Sequence, residues 1–86
     1  MKVFYSERFK KSYRKLDTKL KAKFAKQLDF LLTNPRHPSL QIHPVQGAHD
    51  IFEARLDLQY RFTFTKESSA YILRVIGNHD EVLKNP

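Results

Sequence analysis

Eighty-six residues, 41% hydrophobic and 29% charged, suffice for one globular domain with one core and exclude a disordered tail. The absence of cysteine excludes a disulfide framework, thiolate metal sites and thiol catalysis. No apolar run approaches the roughly 20 residues of a membrane span, and the first residues lack the apolar stretch of a signal peptide. The expectation is a soluble cytoplasmic protein with a single domain over 1–86. Its formal charge of +7 is concentrated: residues 1–30 hold ten cations against Glu7, Asp17 and Asp29 (10 − 3 = +7), while residues 31–86 hold six of each sign. Such a stretch suits a solubilising helix face and a surface for a polyanion equally well.

In chain order, "KVFYS" (Lys2 to Ser6) has the β-branched and aromatic content of a short strand. The period then changes. Phe9, Tyr13 and Leu16 fall at i, i+4 and i+7, a helical stripe with Ser6 as its N-cap and Glu7 in its first turn. Asp17-Thr18 interrupts this helix and caps a second. Along that one Leu20, Phe24, Leu28, Leu31 and Leu32 line one face, with Lys19, Lys23 and Lys26 off it. Asn34-Pro35 ends it, because proline lacks the amide donor and disfavours helix in its predecessor. So short a turn predicts an antiparallel helix hairpin.

"NPRHPSLQIHPVQGAHD" reads as a loop, with a short edge strand expected within Leu40 to Val45 because Pro44 is tolerated mainly at edges. From Ile51 the period becomes two. Phe52, Ala54 and Leu56 alternate with Glu53, Arg55 and Asp57; Tyr60, Phe62 and Phe64 alternate with Arg61, Thr63 and Thr65. Asp57 to Tyr60 forms the intervening turn, and Glu67-Ser68-Ser69 the next. "AYILRVI" is nearly all apolar and reads as an interior strand. The predicted fold is α+β: an N-terminal strand, a two-helix antiparallel hairpin, then an antiparallel β-meander packed on the helices in two layers. The helices cover the apolar sheet face, and the other face is expected to be bare, displaying Glu53, Arg55, Asp57, Arg61 and Arg74. That face is either a functional surface or an ordinary solvated one.

The chemistry that fits this composition needs little interior space. The four histidines, His37, His43, His49 and His79, lack metal-ligand spacing, and neither a phosphate-binding glycine loop nor a nucleophile elbow is present. No metal and no cofactor is expected. An open cationic sheet suits RNA cleavage by the substrate's own 2′-hydroxyl. The protein then has to align that oxygen, move two protons and neutralise a phosphorane. Histidine matches the proton transfer and arginine's planar fork matches phosphate oxygens. His79 and Arg61 are therefore the leading candidates, followed by Asp57, Arg55 and Arg74. His79 in "GNHDE" reads equally as a turn or helix-cap histidine paired with Asp80 or Glu81, and Gly77 is expected to allow a turn or close approach there.

"NPRHPSL", "FEARLDLQYRFTF" and "YILRVIGNHDEVLKNP", in that order and spacing, resemble the RelE/ParE superfamily of bacterial toxins from type II toxin–antitoxin systems, and the likeness spans the whole chain. For the RelE-like branch the resemblance implies an antiparallel sheet on two helices. It also implies a ribosome-dependent endoribonuclease acting on messenger RNA, with the ribosome, the message and a cognate antitoxin as partners. It assigns Arg61 to the scissile phosphate, His79 to general acid–base work and Asp57 to the same catalytic group. Arg55, Arg74, Lys84, Lys19, Lys23 and Lys26 become RNA contacts. The chain departs from the family pattern at Glu53, where relatives carry lysine or histidine, and at Leu83, where they carry an aromatic. Two alternatives share the fold: a ParE-like inhibitor of DNA gyrase, and an inactive relative that only binds its antitoxin.

Overall fold

The computed structural model describes residues 1–86. Strand β1 (Lys2–Tyr5) leads to helices α1 (Glu7–Arg14) and α2 (Thr18–Thr33), then a 3-10 turn at Pro38–Leu40. Strands β2 (His43–Pro44), β3 (Phe52–Arg55), β4 (Tyr60–Glu67) and β5 (Ala70–Asn78) follow, and helix α3 (His79–Lys84) closes the chain. No helix is long and apolar enough to cross a membrane.

The helix boundaries have local causes. The Ser6 hydroxyl accepts from the Phe9 amide at 2.9 Å and the Asp17 carboxylate from the Leu20 amide at 2.8 Å, each satisfying a donor that a helix start leaves unpaired. Asn34, with φ −153°, leaves the helical region just before Pro35. Ring contacts close the hairpin: Phe24 lies 5.4 Å from Phe9 and 5.7 Å from Tyr13. Phe24 also meets Phe62 edge-on at 5.5 Å, which joins the helices to the sheet through a favoured aromatic geometry. Leu31, Leu40, Ala54, Phe62, Phe64 and Leu73 complete a core without solvent access worth the name.

The sheet has the order β1-β5-β4-β3-β2. Its meander is antiparallel, as the alternation predicts, but β1 pairs with β5 in parallel and makes the sheet mixed. The long helical connection between those two strands permits that pairing, which a tight turn could not. Tyr71 and Leu73, flanked by both β1 and β4, show why β5 is so apolar. The edge strand foreseen within Leu40 to Val45 shrinks to two residues, because the 3-10 turn takes Leu40 into the core.

The expectation of a bare polar sheet face is wrong. Glu53, Arg61 and Thr63 are 1%, 6% and 0% exposed. Over β4 and β5 the cover is α3, a third helix that the strand-and-turn reading of "GNHDEVLK" does not include. Gly77 lies opposite Arg61 in register, and a Cβ on it would sit 3.7 Å from Val82 and from the Glu81 carboxylate, so α3 lies on the arginine side. Val82, 1% exposed, plugs that side, and the Pro86 oxygen accepts from the Thr63 hydroxyl at 3.0 Å. Nor does Gly77 make a turn: β5 runs through it to Asn78, and its φ is not positive.

Candidate active site

The turn between β3 and β4 is built by Asp57. One carboxylate oxygen accepts from the amides of Gln59 (3.0 Å) and Tyr60 (2.8 Å), and the other takes the Lys23 ammonium at 3.0 Å. Partial burial pushes this carboxyl up. The Lys23 hydrogen bond, the two amides and the Lys23 charge outweigh that and hold it below the usual carboxylate value. Asp57 thus shapes the turn and ties it to α2.

Arg61, one residue into β4, folds back over that turn. Its Nη1 donates to the carbonyls of Asp57 (2.6 Å), Leu58 (3.0 Å) and Tyr60 (3.1 Å). Its Nε lies 3.3 Å from Glu53 Oε1 on β3. Only Nη2 has no protein partner. It is also absent from the buried unsatisfied atoms, among which Glu53 Oε2 stands alone, so Nη2 reaches solvent.

The same turn positions His79. The Gln59 carbonyl accepts from the His79 amide at 2.7 Å, which fastens the first residue of α3 to the β3–β4 turn. Asn78 caps this helix by accepting from the Asp80 amide at 2.9 Å. The imidazole is half-exposed, with Nδ1 3.5 Å from the Asp80 carboxylate. His79 is therefore both the helix-start histidine and a cleft residue. Arg61 and His79 line one open cleft of about 450 Å³ with Leu58, Gln59, Asn78 and Asp80. An imidazole and a guanidinium edge that share such a cleft can exchange a proton and hold an anion.

The remaining sequence candidates lie elsewhere. Asp57 does not line the cleft. Arg55 faces Arg61 across the β3–β4 ladder. Arg74 is the extra residue of a β-bulge opposite Thr63 and Phe64, and its Nε donates to the Pro86 oxygen at 3.1 Å. Lys84 is exposed at the end of α3, Lys19 and Lys26 are exposed on α2, and Lys23 is committed to Asp57. Leu58, Gln59 and Asn78 line the cleft without having been expected. For Asn78 a signal existed, since an asparagine followed by Asp80 and Glu81 in one turn is a helix-start pattern.

Solved structures superpose on nearly the whole chain. YafQ from E. coli strain BL21(DE3) matches with a TM-score of 0.79 at 15% identity, over 92% of this chain and 93% of that one. The YoeB/ParE toxin from Agrobacterium tumefaciens gives 0.78 at 15%, over 92% and 99%. The RelB–RelE antitoxin–toxin complex from Methanococcus jannaschii gives 0.75 at 13%, over 96% and 99%. The fold is that of the RelE/ParE toxins. No family model and no curated protein matches the sequence, so the RelE/ParE likeness is carried by three-dimensional structure. The cleft between the β3–β4 turn and the start of α3 is built on that RelE/ParE frame.

Proposed function

We propose that this chain is the toxin of a type II toxin–antitoxin system, a single RelE-like domain acting in the cytoplasm as a ribosome-dependent messenger RNA endonuclease. The observation that carries the reading is that Arg61 and His79 line one cleft on a fold shared with YafQ and RelE toxins. The 2′-hydroxyl of the message attacks the adjacent phosphorus, and the bond to the 5′-oxygen of the next nucleotide breaks. His79 moves the proton at one of these oxygens, solvent in the open cleft moves the one at the other, and the Nη2 edge of Arg61 draws charge from the phosphorane. Lys19, Lys26, Lys84, Arg55 and Arg74, all outside the cleft, attract RNA backbone. The antitoxin partner is supported by neighbours solved as antitoxin–toxin complexes. The test is induction of the chain without an antitoxin, followed by mapping of new RNA ends: cleavage inside translated messages is expected, and growth arrest with intact messages refutes it.

A gyrase-directed poison is the second reading. It is favoured by one observation: most of the Arg61 guanidinium is already bonded within the fold. It predicts a DNA-damage response on induction in place of new message ends.

A further inference from the structure

Glu53 is 1% exposed, carries a charge, lines no part of the cleft and has no role in the chemistry above. We propose that Glu53 is a positioning residue for Arg61, pairing with its Nε so that the unpartnered Nη2 edge is presented to the cleft shared with His79. The inference rests on the reading of Arg61 as the phosphate contact and names what aims it.

The guanidinium is planar, so two fixed edges determine the third. The turn carbonyls of Asp57, Leu58 and Tyr60 hold Nη1, and Glu53 Oε1 holds Nε at 3.3 Å. Without Glu53, rotation about the last side-chain bonds keeps some of the Nη1 contacts while swinging Nη2 away. His43 is the other group near Oε1, with Nε2 at 3.5 Å. Its Nδ1 sits 2.8 Å from the Gln41 carbonyl and must carry the proton there, so a neutral ring turns only a lone pair toward the carboxylate. His43 is also exposed, and Glu53 Oε2 has no partner at all. Arg61 is therefore the one permanently charged partner that Glu53 has. An acid beside a phosphate-binding arginine is unfavourable if it faces the substrate, but here Glu53 lines no part of the cleft and meets the arginine at Nε.

The test compares Glu53→Met, which keeps the length and removes the acceptor, with Glu53→Gln, which restores an uncharged acceptor. Side-chain 15N relaxation at Arg61 Nε reports order, and single-turnover cleavage on message-programmed ribosomes reports aim. In the Met variant the Nε order parameter should fall well below that of the unsubstituted protein. Cleavage at saturating ribosomes should fall about 10- to 100-fold, with ribosome affinity changed less than about twofold. The Gln variant should recover both. If the Met variant does not fold, Glu53→Asp replaces it: the charge stays, the carboxylate retracts, and Arg61 should still lose order. An Arg61 that stays ordered in these variants, or one that loses order while cleavage is unchanged, overturns the proposal. If the unsubstituted protein cleaves no message, the nuclease reading falls and the order parameter alone decides the role of Glu53.

Discussion

His79 and Asp57 were both candidates for catalysis, and their surroundings separate them. His79 has its backbone amide tied to Gln59 and its ring half in solvent, so losing the ring costs little structure. His79→Ala should lower message cleavage about 10²- to 10⁴-fold while changing stability by less than about 0.5 kcal/mol. RNA end mapping together with thermal unfolding checks both, and a folded variant that stays fully toxic removes His79 from the mechanism. Asp57 is engaged on both oxygens by Lys23 and two turn amides. Its carboxyl titrates lower in the folded chain than in the unfolded one, so its charge stabilises the fold above the unfolded value of about 3.9. That contribution is lost as the pH falls from there through the lower folded value. Asp57→Asn, which keeps an acceptor for the amides, should cost about 0.5–1 kcal/mol at pH 7. The gap from the unsubstituted protein should narrow as the pH falls below the unfolded value and close once it lies below the lower folded one, as read in urea melts; a gap unchanged at low pH contradicts the ion-pair account.

At the scale of elements, periodicity reported what repeats and missed what happens once. The stripes through Phe9, Tyr13 and Phe24 and the alternation through Phe62 and Phe64 placed both long helices and the meander, because each is a repeated choice of side toward the core. Arg61 and His79 are singled out in the sequence by residue type alone, and it is the structure that brings both to one cleft beside the Asp57–Tyr60 turn. What stayed hidden depends on contacts between distant segments. Gln27 looks like a surface residue of α2, yet it is 4% exposed and its amide donates to the carbonyls of Arg55 (2.9 Å) and Ser39 (3.2 Å). Helix α3 is too short, with one buried residue, to show a period, and so the sequence pattern makes the polar face look bare. Val82 is the residue on which that cover depends. Val82→Ala should destabilise the protein by about 2 kcal/mol through lost burial and an imperfectly filled gap. It should also speed amide exchange at Thr63 and Val75 beneath it more than at Leu73 in the helix-covered core. Uniform acceleration across the sheet means that α3 opens only with the whole fold.

For the whole molecule, charge and cleft are separable. All of the formal +7 arises in residues 1–30, which form β1, α1 and most of α2, whereas the cleft is made by the β3–β4 turn and the start of α3. The proposed function then predicts a division of labour, with the helices setting affinity for a polyanion and the cleft setting the rate of the bound complex. The lysines of α2 test it because they differ in their surroundings. Lys19 and Lys26 are exposed, and Lys26 touches only the Phe30 ring at 6.0 Å, whereas Lys23 bonds Asp57 at 3.0 Å. Reversing both exposed charges, Lys19→Glu with Lys26→Glu, should weaken ribosome binding at least about tenfold at low salt and flatten its salt dependence, because fewer counterions are released. Stability should stay within about 0.5 kcal/mol and cleavage by the saturated complex should not change. Lys23→Glu should behave differently: it places a carboxylate against Asp57, disturbs the turn that carries Arg61 and His79, and slows cleavage even at saturation. If the double reversal slows the saturated step as much as Lys23→Glu does, the helix face takes part in the chemistry and the division fails. If neither substitution changes ribosome binding, the cationic helices serve solubility, and the protein's target must be sought away from nucleic acid.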